Sequence, residues 1–526
     1  MKYLKIIPIA ILVVLGFSSC EKDLDQKPLS SLTTENFFST KNDFIQACNA
    51  VYAVGLRGAT ISGGYGYPDR QLYLSELRSD NLYAVTDIGS RGWEAINELQ
   101  TSLGTNSFVQ EAWTNNYKGI DKANLFLEKL NAGGRELIAD NVLASRMEAE
   151  VKFLRAFFYF DLVRWFGKVP LIERTVTAQE ATTIPRSPAA DVYTFLMKDL
   201  KDAADSLPAS YTVATDKGRA TKWAAKYMMA LAHMTRSAPT YGIEGPGLGL
   251  NEWSQAYALL TELTTTATSG FDFLPQYNRI YAYDNESNTG NNKEVIFDVQ
   301  YFSAPSPATS AGVGGGFVWK LTPDTYFNSI GISAQGSTYQ KPVSNDFLSK
   351  FAVTDARRVF GIQTGFTWPL TPTPVYNDYS FYKKWINKTF YGSGGAGDWP
   401  INFIVATYTD ALLLKAECTL HSGGGTQTEV DAAVNRVRTR AGIPTITNVG
   451  MDSLLAERRR EFHCEGKRWH DLVRSGKIVE IMNTWITRDD VQHRINPMIP
   501  NFIIYPVPNF EMNIVPGLYT QNPGYD

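Results

Sequence analysis

The chain has 526 residues, 44% hydrophobic and 13% aromatic, so material for a large buried core is not limiting. A formal charge of −3, with no clustered excess of Lys and Arg, excludes a nucleic-acid or anionic-membrane surface as the main partner. Four cysteines and five histidines, with no CxxC and no Cys/His zinc spacing, argue against a disulfide framework and against a metal site.

At the start of the chain, Lys2 and Lys5 precede the apolar stretch from Ile6 to Phe17, which ends in Ser18-Ser19 before Cys20. The stretch is shorter than the roughly 20 residues of a spanning helix. It reads as a secretory signal over 1–19 closed by a cysteine, and an ordinary secreted protein with a chance cysteine is the competing reading. The arrangement resembles a bacterial lipoprotein signal. That resemblance implies that Cys20 becomes the first mature residue and carries the acyl chains of a lipid anchor, with 20–32 as the tether. Glu21, Asp23 and Asp25 resemble the surface-export signals of lipoproteins in Bacteroidetes-type bacteria. Loss of Lys2 and Lys5 with the signal takes the formal charge from −3 to −5. Cys48, Cys418 and Cys464 then remain, all in helix-like segments that suit buried free thiols.

Helical periodicity marks 34–55, 108–131, 141–166, 188–206, 220–236, 252–267, 403–420, 429–441 and 452–475. Val151, Leu154, Phe158, Leu162 and Trp165 form one apolar face. Gly133-Gly134, Gly167 with Pro170, and Gly442 with Pro444 punctuate the ends. The pattern predicts a mostly α fold, a tetratricopeptide-like superhelix of helical pairs with short β elements. No repeat consensus is visible, which leaves an irregular α-solenoid open. Between about 270 and 400 the composition changes to Gly, Pro, Asn, Thr and Tyr, and a similar loop-like region covers 59–92. The expected organisation is an N-terminal helical scaffold over 33–269 with the loop insertion 59–92, a loop-rich central ligand-binding region over 270–401, and a C-terminal helical scaffold and tail over 402–526.

Several runs carry a family resemblance. The segment from Glu150 to Leu171, EVKFLRAFFYFDLVRWFGKVPL, resembles a hallmark of SusD/RagB-like outer-membrane lipoproteins. Trp113, Tyr117, Ile120 and Asn124, the run from Tyr408 to Glu417, and the run from Val434 to Gly442 resemble other helices of that family. Glu457 to Phe462 with Glu465 to Arg474 is similar to its most distinctive signature, and Tyr505 to Pro508 with Gln521 to Tyr525 resembles its C-terminal end. His463-Cys464 and His470 depart from the residues commoner at those places. The resemblance implies a helical scaffold bearing an irregular ligand region, held at the outer-membrane surface, which captures a glycan and passes it to a SusC-like TonB-dependent barrel. The signature residues Leu454, Arg458, Phe462, Glu465, Trp469 and Leu472 fall near one helical stripe, and this predicts that they build the scaffold.

Sugar capture needs flat apolar faces beside fixed polar groups. Trp113, Trp165, Trp223, Trp253 and Trp469 lie in helical segments and are expected in the core, whereas Trp93, Trp319, Trp368, Trp385 and Trp399 lie outside them. Trp93 and Trp319 are the favoured stacking residues, placed where the resemblance implies ligand aromatics. Asp80, Asn81, Arg91, Tyr283 and Tyr301 are the candidate polar or stacking partners. Packing within the loops is the competing reading for all of them.

Catalytic signals fail on context. Gly392 to Gly397 fits GxGxxG but is followed by Asp398-Trp399-Pro400 rather than a helix. Asp284 to Asn288 approaches a calcium loop but has Thr289 at the glycine position and Val295 at the twelfth. No nucleophile–base constellation stands out, although a carboxylate pair is defined by the fold and not by spacing. The expected function is therefore binding without catalysis and without a cofactor. The alternatives are a peptide-binding or structural lid of the same kind of transporter, and an α-helical surface glycoside hydrolase or lyase.

Overall fold

The computed structural model describes residues 37–58, 66–84, 92–285, 293–302, 314–334, 341–368, 375–391 and 397–526. Cys20, the signal and tether, Arg91, and parts of both the GxGxxG-like and calcium-like segments lie outside the described residues. Eleven longer helices organise the chain: α1 Lys41–Tyr52, α2 Ser107–Lys129, α3 Asn141–Phe166, α4 Ala189–Ser206, α5 Lys222–Ser237, α6 Trp253–Thr264, α7 Tyr408–Leu420, α8 Gln427–Arg440, α9 Met451–Glu461, α10 Arg468–Arg474 and α11 Ile478–Asp489. Each helix from α1 to α8 packs against the next, including α6 against α7. The central insertion thus leaves the stack after α6 and returns at α7 without separating the two helices.

Local chemistry sets the helix ends. Asp140 caps α3 by accepting from the Leu143 N–H at 3.0 Å, and Thr426 with Glu429 forms a capping box on α8. Helix α3 stops at Gly167, whose φ of +67° costs a glycine little. A Cβ there would lie 2.1 Å from the Glu244 carbonyl oxygen, so the close passage of the 244 backbone also requires a glycine. The expected single apolar face of α3 is exceeded, because from Ala149 to Phe166 it is buried on nearly all sides. Its polar members are paired: Asp161 accepts from Arg70 Nε at 3.0 Å, Asn116 Nδ2 at 3.1 Å and Trp165 Nε1 at 3.0 Å.

Three expectations change with the fold. The segment 403–407 is a strand rather than the start of a helix, and 462–467 breaks the long helix expected over 452–475. The region 59–92 is not loop throughout, since Tyr67–Gln71 and Leu72–Glu76 form one continuous helical stretch and Gly92–Asn97 another. The strand β1 Val295–Val299 pairs antiparallel with β4 Phe403–Thr407, while β2 Ile362–Trp368 and β3 Val375–Tyr382 form a hairpin. Strand β4 runs straight into α7, and Thr407 caps that helix by accepting from the Asp410 N–H.

The distinctive C-terminal motif builds the scaffold as predicted, although its buried residues come from two helices and the turn between them and not from one helical stripe. Arg458 binds Asp410 at 2.8 Å and Asp471 at 2.9 and 3.0 Å, and Arg474 grips both oxygens of Glu417. Arg459 and Arg468 converge on Asp80, and Arg357 from the insertion meets Glu457 and Glu461. Cys48, Cys418 and Cys464 are buried free thiols. His463 and His470 are buried, which holds both imidazoles well below their ordinary pKa and keeps them neutral.

Asp80 offers a direct test of this network. Burial pushes its carboxyl up, but Arg459 and Arg468 outweigh that and bring it down to about 2. Because the folded value is depressed, its contribution to stability is complete above the unfolded value of about 4 and is lost as pH falls towards 2. Asp80→Asn should cost about 3–5 kcal/mol in urea unfolding at pH 7, since two buried guanidinium groups lose their shared anion. It should also flatten the acid limb of stability between pH 4 and 2. A cost below about 1 kcal/mol would place Asp80 outside the network that holds the fold.

Candidate functional site

The insertion has an aromatic interior from which a few rings emerge. Phe317 packs on Tyr301, Trp385 and Phe403 with centroids 5.6, 5.3 and 5.1 Å away. Trp399, fully buried, packs on Phe327 and Tyr283. Tyr283 in turn stacks on Phe390 at 5.2 Å and 15°, and its hydroxyl donates to the Trp385 carbonyl at 2.8 Å. Tyr391 lies against Trp399 at 6.1 Å. The outer members are open: Phe390 is 43% exposed and Tyr391 39%, and Phe302, next to Tyr301 in the chain, is 51% exposed. These three were not singled out from sequence, where nothing separates an exposed aromatic from a buried one in an aperiodic segment.

Trp319 ends the short helix Gly316–Trp319 and is half-buried against the same interior. Its indole N–H donates to the Asp324 carboxylate, which fixes the ring, and Lys320 Nζ lies 5.6 Å from the ring centroid. Lys320 also faces Asp69 at 4.0 Å. Burial raises the Asp69 pKa, opposed by Lys320 and Arg70. Tyr301 shares this neighbourhood: burial, with the Asp69 carboxylate, pushes its hydroxyl well above the usual phenol range. Tyr283 and Tyr301 are therefore brought to one aromatic body with Phe317, Trp385, Trp399 and Phe390, and Trp319 follows Phe317 in the same short helix.

Other candidates fall elsewhere. Trp93 sits on the helix Gly92–Asn97, is only 7% exposed, and has Lys341 Nζ 4.6 Å from its ring centroid. As placed, it packs as a core residue with one face already occupied by a cation. Asp80 and Asn81 are corrected more firmly. Asp80 is 1% exposed with both oxygens on Arg468, and Asn81 is fully buried, donating to Glu76 at 2.8 Å and accepting from Arg459 at 2.8 Å. Both belong to the scaffold, because Arg459 and Arg468, 378 to 388 residues away in sequence, close over them. Trp385 is also buried. Arg91 and Cys20 lie outside the described residues, and nothing is assigned to their geometry.

Asp284 pairs with Arg279 at 2.9 Å, and Asn285 donates to the Arg279 carbonyl at 2.8 Å, so the described end of the calcium-like segment is held by local contacts. Among the described residues no group of three or more His, Cys, Asp or Glu is placed to hold a metal ion. The arrangement offers firmly backed ring faces beside amide, carboxylate and guanidinium groups, which suits CH faces and hydroxyls of a bound ligand.

Residues 280–525 match the model of the SusD family, and residues 64–233 match a model described as starch-binding associating with outer membrane. A SusD-like protein of Formosa agariphila is 26% identical, aligned over 98% of this chain and 100% of its own. The starch-binding protein SusD of Bacteroides thetaiotaomicron is 21% identical over 100% of this chain and 99% of its own. Among solved structures, the surface glycan-binding protein A of Bacteroides thetaiotaomicron, in complex with laminarihexaose, superposes with a TM-score of 0.74 at 20% identity, covering 92% of this chain and 100% of that one. With family models on both halves, end-to-end relatives and a shared helical scaffold, the chain belongs to the SusD/RagB-like family.

Proposed function

We propose that the chain is a cell-surface glycan-binding lipoprotein of the outer membrane that captures an oligosaccharide or polysaccharide and delivers it to a SusC-like TonB-dependent transporter, without turning the glycan over. One observation carries this reading. The insertion presents Phe390 and Tyr391 as open rings backed by the packed rings of Tyr283 and Trp399, with the exposed Phe302 next to Tyr301 and the half-buried Trp319 in the same short helix as Phe317. Stacking against pyranose CH faces needs such backed, preorganised rings, because rings already fixed lose little entropy when the ligand docks. Relatives whose names state starch or glycan binding support the ligand class. The family match supports the transporter and the outer membrane, and the signal-like N-terminus supports an anchor at Cys20. Among the described residues no helix is long and apolar enough to cross a membrane, so an acyl anchor is the tether this reading requires.

The ligand face is tested by calorimetric titration with a glycan found by array screening. Trp319→Ala, Phe390→Ala and Tyr391→Ala should each lose roughly 1 to 3 kcal/mol of binding, the scale of one stacked ring, with circular dichroism unchanged. Full binding by the triple variant would move the site elsewhere, and release of shorter sugars by pure protein would reject binding without catalysis. Trp93→Ala should instead lower stability by about 3 to 5 kcal/mol, as removal of a buried ring does.

Anchoring and partnership are tested separately. Cys20→Ala should abolish acylation, seen by intact mass, and release the protein from the membrane fraction still folded. Gentle detergent extraction and affinity purification should recover a large TonB-dependent barrel in near-equal amount. Repeated recovery of this chain alone would argue against a stable complex.

A further inference from the structure

Beside Tyr301 the aromatic body opens into a groove of about 640 Å³ between α1, the turn Ala214–Asp216 and strand β1. It continues past Gly218 and Arg219 into a second hollow of about 620 Å³. Each hollow has the size of a small-ligand pocket, and together they make a trough rather than a closed cavity. Gly218 shapes the crossing: its φ is +89°, and a Cβ there would lie 2.5 Å from the Gln300 side chain. The wall mixes the polar groups of Gln46, Asn49, Lys217 and Arg219 with apolar Ala53, Leu56 and Val299, and Tyr301 and Phe302 supply rings at one end.

The charges of this trough do not balance. Arg219 is neutralised by Glu150 at 3.0 Å and Asp216 at 3.0 Å, and the Asp298 carboxylate is buried under Gln300 and Asn402, which donate to it at 2.6 and 3.1 Å. Arg57 and Lys217 are different. Arg57 Nε is buried without a hydrogen-bond partner, and neither the Arg57 guanidinium nor the Lys217 ammonium has an ion pair among the described residues. Desolvation lowers the Arg57 pKa, a penalty that an anion in the groove would relieve. Most other partly buried arginines of this chain are held by carboxylates, as Arg146, Arg236 and Arg438 show. Two such cations beside the half-buried Tyr301 and the exposed Phe302 are thus a local exception in a chain of net negative charge.

We infer that the trough takes an acidic glycan, with Arg57 and Lys217 receiving a carboxylate or sulfate substituent while Tyr301 and Phe302 contact its sugar rings. This rests on the glycan-binding reading above and adds the chemical class of the ligand. A planar guanidinium suits bidentate contact with either anion, and Lys217 supplies a second, mobile point charge. Uronic acids and sulfate esters share this chemistry, so matched polymers separate them.

The test uses the full acylated chain in detergent micelles, in affinity electrophoresis against four probes: dextran sulfate, dextran, polygalacturonate and its methyl ester. At least one acidic polymer should bind more tightly than its neutral counterpart, with an affinity that falls as salt rises. Arg57→Gln and Lys217→Gln should each weaken that binding about tenfold, the scale of one charge-assisted hydrogen bond, and Arg57→Lys should recover part of the loss. Lys118→Gln with Lys122→Gln removes the same charge from exposed positions on α2 and should change little. Equal loss in that control, or full binding by the Arg57→Gln and Lys217→Gln double variant, would overturn the inference by reducing it to bulk charge. Neutral glycans that bind through Trp319 while acidic ones bind no better would overturn this inference alone. Failure of all four probes, and of every neutral and acidic glycan on an array, would overturn the glycan-binding reading and this inference with it.

Discussion

The fold depends on a set of buried arginine–carboxylate contacts centred on the C-terminal motif. Arg458, Arg459, Arg468 and Arg474 reach Asp80, Asp346, Asp410 and Glu417 on elements far from the motif in the chain, and Asp471 within it. Arg440 extends the set by joining Glu294, beside β1, to Glu461 at the end of α9. Such pairs add little net stability relative to apolar packing of the same volume, because both partners lose water. Their effect lies in specificity. Any arrangement that misplaces one element strands a charge in the interior, and the bidentate geometry at Asp80, Asp471 and Glu417 tolerates little displacement.

That constraint explains how an insertion of irregular composition is positioned. Helices α6 and α7 pack directly, so the stack is continuous beneath the insertion. The insertion is then tied down by Arg357 on Glu457, by Lys384 on Glu465 at 2.6 Å, and by Tyr382, whose hydroxyl donates to Glu76 at 2.7 Å. Glu76 also accepts from the Cys464 and Gly466 N–H groups, so one carboxylate joins the N-terminal region, the insertion and the C-terminal motif. The aromatic body of the insertion stands on this base.

Much of the scaffold was legible because helix periodicity is local. Helices α2, α3, α4 and α5 fall within a few residues of their expected spans, and their tryptophans are buried as their positions on helices implied. The strand Phe403–Thr407 escaped because five consecutive buried apolar residues suit a helix or a strand equally, and only the pairing with Val295–Val299 decides. Asp80 and Asn81 looked like ligand groups because they sit in a Gly-rich, loop-like stretch. Their arginine partners come from a segment whose proximity only the fold reveals. Phe390 and Tyr391 were invisible for the opposite reason, since exposure is not a property of local sequence. Arg57 was hidden too: a guanidinium without a carboxylate partner is recognised only after every neighbour has been placed.

The ties at Arg357, Lys384 and Tyr382 also set how a ligand can be engaged. Swinging the insertion away from the helical stack would pull Lys384 from Glu465 and the His463 carbonyl, a buried contact whose loss costs about 3–5 kcal/mol, and would also part Arg357, which keeps Asp355, from Glu457 and Glu461. A jaw-like closure of the insertion against the helical stack is therefore opposed by these ties. Where the ties hold, a partner of the described part of the insertion meets a base already anchored to the stack, and its residence time is set by the contacts it makes there.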